Sequence, residues 1–192
     1  MTRLNVGCGL QVLDGWVNVD LGSWDYDPEG PDADLGPRLV LPPGVEYGDA
    51  SDLSEWHGRC DIVLLNHVLH LFNHTEADQV LDQCAACLVP GGRLAIVEAD
   101  PLRVIDTWLT SGEVDPILTL VADDIEPTVQ GKLLRWVTWH GTRRSLWSVE
   151  SLAERMERRG LQVVKVAAMT SSERELIDTR PAESFSLVGI RP

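Results

Sequence analysis

The sequence predicts an α/β domain built on a mainly parallel sheet with both faces covered and an antiparallel last strand. Three observations predict it. Short apolar runs alternate with segments of helical periodicity, the order that lays strands parallel and places connections on the faces of a sheet. One run, Asp61-Ile62-Val63-Leu64-Leu65, is apolar without alternation, as a strand covered on both sides must be. The first run, Leu4-Asn5-Val6, enters a Gly7-Cys8-Gly9 turn, and the second, Gly15-Trp16-Val17-Asn18-Val19-Asp20, ends in a carboxylate eleven residues after Gly9. With 192 residues, 44% of them hydrophobic, the chain suits one domain, 1–192, with a proper core.

Residues 3–8 give the first strand. About seven residues separate Gly9 from Trp16, too few for a crossover helix, so a parallel second strand requires an abbreviated crossover. From Leu21 to Gly44, prolines, glycines and acids accumulate: a solvated acidic loop, with a lid or metal-binding loop as the alternative. Val45-Glu46-Tyr47 is a short third strand ending at Gly48-Asp49-Ala50. The fourth, Asp61–Leu65, runs into Asn66-His67-Val68-Leu69-His70-Leu71. Thr75 is placed to cap a helix over 76–87, whose residues Ala77, Val80, Leu81, Cys84 and Leu88 share one face. Pro90-Gly91-Gly92 stops it, and Arg93–Val97 is the fifth strand, with Glu98-Ala99-Asp100 as its polar tip. Asp100 caps and Pro101 begins a helix to about Leu109, and Asp115-Pro116 repeats the signal for 116–124. The periodicity of 132–141 fits helix and strand equally. Residues 101–147 as a whole read as a helical insertion over the acceptor side. Ser148 caps a helix through Arg159, closed by Gly160, and 161–168 and 185–190 are the last strands.

Charge narrows the function. Thirty acidic against sixteen basic residues give a net charge of −14, which disfavours a phosphate backbone as partner, although Arg135, Arg143 and Arg144 could form a local basic patch. There is no apolar run of membrane-spanning length and no signal-like start, so a cytoplasmic protein is expected. Cys8, Cys60, Cys84 and Cys87 form no zinc set or disulfide framework; Cys84 and Cys87 fit small buried hydrophobes better than a redox pair, and no residue is assigned to a metal.

Taken together, the motifs resemble class I S-adenosylmethionine-dependent methyltransferases, and most of all a small bacterial branch that opens with Gly-Cys-Gly and follows it at once with Gly-Trp-x-Asn-x-Asp. Those residues here are Gly7-Cys8-Gly9 and Gly15–Asp20. Gly48–Leu53, Asp61–Leu71, Leu88-Val89-Pro90-Gly91-Gly92 and Trp147–Leu152 continue the likeness in order along nearly the whole chain. One departure stands out: where the branch has His-Val-Leu-Glu-His, this chain has His67-Val68-Leu69-His70-Leu71.

The resemblance implies a Rossmann-like sheet and S-adenosylmethionine as cofactor. It implies that the backbone of Gly7, Cys8 and Gly9 lies against the ribose and amino-acid tail, and that Asn5 and Leu21 also belong to the cofactor site. Asp20 holds the ribose hydroxyls, Asp49 and Ala50 read the adenine edge, and Asn66 and His67 border the sulfonium. Methyl transfer from a sulfonium is an in-line displacement that chiefly needs near-attack geometry, plus a base where the acceptor must lose a proton. His67, His70 and His140 are the candidate bases because histidine titrates near neutrality. Trp108, Trp136, Trp139 and Trp147 fit core, or an apolar acceptor pocket. The expected partner is a small-molecule or sugar acceptor methylated at oxygen. Two alternatives stay open: a methyltransferase-fold protein kept for assembly or scaffolding without turnover, and a nicotinamide-dinucleotide binder. The latter's usual third glycine falls at Val12.

Overall fold

A computed structural model describes residues 1–22, 41–103, 106, 110, 144–165 and 184–192. Seven strands form one sheet: β1 (Arg3–Val6), β2 (Val17–Asp20), β3 (Val45–Tyr47), β4 (Cys60–Asn66), β5 (Leu88–Ala99), β6 (Gln162–Lys165) and β7 (Ser184–Ile190). Their spatial order is β3-β2-β1-β4-β5-β7-β6. β1 to β5 are parallel throughout, and β7 runs antiparallel to β5 on one side and β6 on the other. The mainly parallel sheet with its reversed last strand is therefore as expected.

Strand periodicity divides the interior. Leu4, Val6, Val63, Leu65, Leu94, Ile96, Phe185 and Leu187 face one way, into a core completed by two helices, α1 (His74–Cys87) and α2 (Val149–Arg158). Ala77, Val80, Leu81 and Cys84 of α1 and Leu152 and Met156 of α2 fill it, the positions their three- and four-residue spacing selects. Leu64, Ala95, Val97 and Val188 face the other way, with Leu13 and Trp16 packed against them. Cys60, Cys84 and Cys87 are buried free thiols, and burial pushes Cys84 up to about 12.

The abbreviated first crossover is real: residues 7–16 carry no helix. Two buried asparagines organise it instead. Asn5 of β1 and Asn18 of β2, each 2% exposed, lie side by side because Asn5 pairs with Asn18 in the parallel register. The Asn5 amide donates to Asn18 Oδ1 (2.9 Å) and to the Gln11 carbonyl (3.0 Å). Asn18 Oδ1 also accepts the Leu13 N–H (2.9 Å), and its amide donates to the carbonyls of Leu13 (3.0 Å) and Trp16 (3.1 Å). A loop without a ladder of its own thus has its polar groups met by side chains.

Two boundaries differ from expectation. α1 begins at His74, and its cap is Asn73, not Thr75. Asn73 Oδ1 accepts from the N–H groups of Thr75 and Glu76 while Glu76 reaches back to the Asn73 N–H, a complete capping box. β5 starts at Leu88, earlier than Arg93, because Cys60 faces Leu88 while Ile62 faces Arg93, so Val89-Pro90-Gly91-Gly92 sits between two paired points as an irregularity. The Gly91 N–H donates to the Arg191 carbonyl (2.8 Å), and the Arg191 N–H to that of Gly92 (2.9 Å). The expected Ser148 cap and the turn at Gly160 are both present. Asp100 Oδ1 accepts from the N–H groups of Leu102 and Arg103, and residues 101–103 are helical. The expected helix over 116–124, the segment 132–141, most of the acidic loop 21–44 and most of the 101–147 insertion lie outside the described residues.

Between α1 and α2, Asp78 pairs with Arg155 and, at 2.9 Å, with Arg159, whose Nε reaches Asp82 Oδ1 at 2.7 Å. Arg155 also stacks over Trp147, 5.1 Å from the ring centroid. The hydrogen bond from Arg155, with Arg159 adding to it, holds the Asp78 carboxyl below its ordinary value.

Two outcomes follow. Asn18→Ala removes the acceptor of one Asn5 amide N–H and of the part-buried Leu13 N–H, so urea denaturation should show a loss of about 1–3 kcal/mol. Asp78 has a lower pKa folded than unfolded, so the unfolded chain binds the extra proton and the stabilisation is lost as pH falls through the depressed value. Asp78→Asn should therefore be less stable than the parent at about pH 7, and the gap should narrow and close as the pH falls through the depressed value, followed by urea denaturation across an acid pH series.

Candidate functional site

The carboxyl ends of β1, β2, β3, β4 and β5 lie along one edge of the sheet, where ligands of open parallel sheets bind. At its centre is the turn after β1. The N–H groups of Gly7 and Cys8 both donate to the Val19 carbonyl (2.8 and 3.2 Å), which draws the turn over the end of β2. Gly7 has φ +66°, and a Cβ there would stand 2.7 Å from Val68 Cγ2. The position is closed to any other residue on both counts.

Asp20 ends β2. Its Oδ2 accepts the Gly9 N–H (2.7 Å) and its Oδ1 the Gly22 N–H (2.8 Å), so one carboxylate ties the glycine turn to the chain leaving β2. Burial, with the Asp20 charge adding to it, pushes the Cys8 thiol up to about 11, so Cys8 is a protonated wall and not a nucleophile at neutral pH. The Gly48 N–H donates to the Asp20 carbonyl (3.1 Å), extending the β2–β3 pairing to the next tip. There Asp49 Oδ1 accepts the Ser51 N–H (2.8 Å) and the Asp49 carbonyl the Asp52 N–H (3.0 Å). Asp49 is exposed, while Ala50 packs on the core.

At the end of β4, the Asn66 amide donates to Gln11 Oε1 (2.6 Å), joining this tip to the first loop. His67 follows with φ +56°, unusual for a residue with a Cβ, and its N–H donates to the Val97 carbonyl (2.8 Å). Its Nε2 lies 3.2 Å from Ser184 Oγ at the start of β7. A one-turn helix, Leu69–Leu71, then presents His70, whose carbonyl accepts from the N–H groups of Arg144 (2.7 Å) and Ser145 (3.2 Å).

Glu98, on β5, is only 1% exposed. Its Oε1 accepts the Leu69 N–H (2.7 Å), and its Oε2 lies 3.0 Å from His70 Nδ1. Burial is the largest influence on this carboxyl and pushes it up. The His70 hydrogen bond, the charges of His70 and His67 and the Leu69 N–H together outweigh burial and hold the group below its ordinary value. The anion is stable here because donors surround it.

A model of a methyltransferase domain matches residues 17–166, well over half of the chain. The chain belongs to the methyltransferase-domain family. Solved structures agree on the fold of this methyltransferase domain. An S-adenosylmethionine-dependent methyltransferase from Mesorhizobium loti superposes with a TM-score of 0.55 at 16% identity, over 99% of this chain and 90% of that one. One from Archaeoglobus fulgidus gives 0.53 at 13% identity, over 99% and 86%. An O-methyltransferase family protein from Burkholderia thailandensis gives 0.51 at 19% identity; the whole of this chain spans about half (51%) of it. A search of curated proteins finds no match.

Against the residues singled out in the sequence, the methyltransferase domain sets Gly9 on the Asp20 carboxylate, Gly7 and Cys8 on the Val19 carbonyl beside it, and Asp49, Ala50, Asn66 and His67 at neighbouring strand ends. Asn5 is buried, with its amide committed to Asn18 and the Gln11 carbonyl, so its part is to shape the first loop. Leu21 is exposed just beyond Asp20. Trp147 is core, while His140, Trp108, Trp136 and Trp139 lie outside the described residues.

Gln11, Glu98 and Ser184 are the residues sequence reasoning missed. Glu98 left one signal, an acid closing the apolar run Leu94–Val97, read only as a polar tip. Gln11 left none, since a loop glutamine has no pattern to break.

Loss of the Asp20 carboxylate should release two amides at once. In Asp20→Ala, hydrogen exchange at Gly9 and Gly22 should accelerate together, with a stability loss of about 1–3 kcal/mol, while α1 amides remain protected.

Proposed function

We propose that this domain transfers a methyl group from S-adenosylmethionine to a hydroxyl of a small-molecule or sugar acceptor. The observation that carries the reading is Asp20, fixed at the end of β2 against the glycine turn after β1. A carboxylate offers about four acceptor positions, and two are taken by the N–H groups of Gly9 and Gly22. The remaining two suit a ribose diol. In this reading the backbone of Gly7, Cys8 and Gly9 lies against the ribose and amino-acid tail, Asp49 and the Ala50 N–H read the adenine edge, and Asn66 and His67 flank the sulfonium.

The absence of a helix over residues 7–16 supports an adenosine with a short tail over a dinucleotide. Dinucleotide sites of this fold set the pyrophosphate on the N-terminus of the first crossover helix, and here a loop pinned by Asn18 stands in its place.

In the reaction the acceptor oxygen approaches the methyl carbon opposite sulfur. The O–CH3 bond forms as the S–CH3 bond breaks, and the sulfonium leaves as a neutral thioether. Positioning supplies much of the acceleration. An alcohol must also lose its proton, and the cluster of His67, His70 and Glu98 beside the end of β4 is assigned to it as a unit. Oxygen is favoured as the acceptor atom because an alcohol needs such a cluster and a neutral amine does not.

Thermal shift and calorimetry on the full chain test this. S-adenosylmethionine and S-adenosylhomocysteine should each stabilise the protein and NAD should not. Asp20→Ala and Asp49→Ala should each weaken S-adenosylhomocysteine by about 10-fold or more, about 1.4 kcal/mol. A response to NAD alone, or none to either adenosyl compound, overturns the reading.

A further inference from the structure

We propose that His67, His70 and Glu98 bind one divalent first-row transition-metal ion, with zinc the natural probe. The three residues come from the end of β4, the one-turn helix after it and β5, and their ligand atoms all lie within 4.8 Å of one another. Bonds of about 2.0–2.2 Å put two ligands of one ion at most about 4 Å apart, so side-chain rotations of about 1 Å close the set.

The chemistry of the donors fits. Two imidazoles and a carboxylate suit zinc, iron or copper, whereas calcium and magnesium prefer oxygen alone. Glu98 carries its carboxylate into the interior at 1% exposure and sets Oε2 3.0 Å from His70 Nδ1, so the carboxylate and one imidazole already lie side by side.

The surroundings resemble the outer contacts that aim metal ligands. The Leu69 N–H holds Oε1 and turns Oε2 toward His70, and the fully buried Ser184 hydroxyl lies against His67 Nε2. His67 is held in a left-handed backbone conformation, the local strain that ligand sites retain. Three protein ligands leave a coordination position for an outside oxygen, as catalytic sites do and closed structural sites do not.

One use follows, and it rests on the function proposed above. The acceptor's hydroxyl oxygen takes the open position, the ion lowers its pKa, and the proton leaves to water as the O–CH3 bond forms and the S–CH3 bond breaks. The binding itself does not depend on methyl transfer.

The test uses the full chain, stripped with a chelator and titrated with zinc chloride by calorimetry and with cobalt chloride by visible absorption. One equivalent should bind, and the cobalt spectrum should show nitrogen and oxygen ligands without thiolate charge transfer, which separates this cluster from Cys60, Cys84 and Cys87. His70→Ala and Glu98→Gln should each weaken zinc by more than about 10-fold. If Glu98→Gln fails to fold, His67→Ala takes its place. A far-ultraviolet circular dichroism spectrum unchanged from the parent in each variant separates a lost ligand from a lost fold. No stoichiometric binding, a thiolate signature, or affinity unchanged in His70→Ala overturns the site and leaves a hydrogen-bonded histidine–glutamate pair to move the proton alone. Zinc binding with no response to S-adenosylhomocysteine keeps the metal site and removes methyl transfer.

Discussion

The hydrogen bond between the buried amides of Asn5 and Asn18 is the constraint on which the rest of the edge depends. A parallel pair of strands ordinarily needs a dozen or more connecting residues, because the chain must travel back the full length of the strand. Here ten residues make the journey between β1 and β2, and no helix satisfies their backbone. The two asparagines meet the carbonyls of Gln11, Leu13 and Trp16 and the N–H of Leu13. Apolar residues in their place would leave those groups buried and unpaired, each costing about 1–3 kcal/mol. A buried polar pair of this kind holds one loop path, and along that path Gly9 meets Asp20 at 2.7 Å.

Three carboxylates illustrate how burial and partners decide what an acid does in this domain. Asp78 is half-exposed between two helices and is held ionised by arginines, a clamp whose worth water partly screens. Asp20 is partly buried and engaged by backbone N–H groups, so its charge organises a turn and also discourages ionisation of Cys8. Glu98 is in the interior, where imidazoles and the Leu69 N–H stand against the cost of its charge. The first stabilises, the second shapes, and the third is held ionised in the interior by donors from the end of β4 that its charge in turn orients.

Much of this was legible in the sequence because it rests on local rules. The parallel sheet came from unbroken apolar runs such as Ile62–Leu65, the helix α2 from Ser148 and Gly160 at its ends, and the short crossover from simple counting between Gly9 and Trp16. The misplaced cap on α1 was also local: Asn73 and Thr75 are both good caps, and only the reach of Glu76 back to Asn73 separates them. What was not legible is long-range. Nothing near Glu98 in the sequence announces His70, twenty-eight positions away, or that Ser184 reaches His67 across 117. The Asn5–Asn18 pair lay between the two, since both residues stood inside recognisable motifs while their mutual contact depended on strand register.

The edge of the sheet therefore divides by chemistry along its length. The ends of β1, β2 and β3 offer backbone N–H groups, glycine clearance and exposed or half-exposed acids, a set matched to hydroxyls and amino groups. The ends of β4, β5 and β7 offer imidazoles, a buried carboxylate and a buried hydroxyl, a set matched to a proton or a cation. The Asn66–Gln11 hydrogen bond, 2.6 Å long, joins the halves. Gln11 gives its side chain to β4 and its carbonyl to Asn5, so the loop that replaces the missing helix also sets the distance between the glycine turn and His67. A full crossover helix would satisfy its own backbone and leave β4 untouched. Shortening the connection has made the position of one half of the edge depend on the other, which is what a reaction between two bound groups requires.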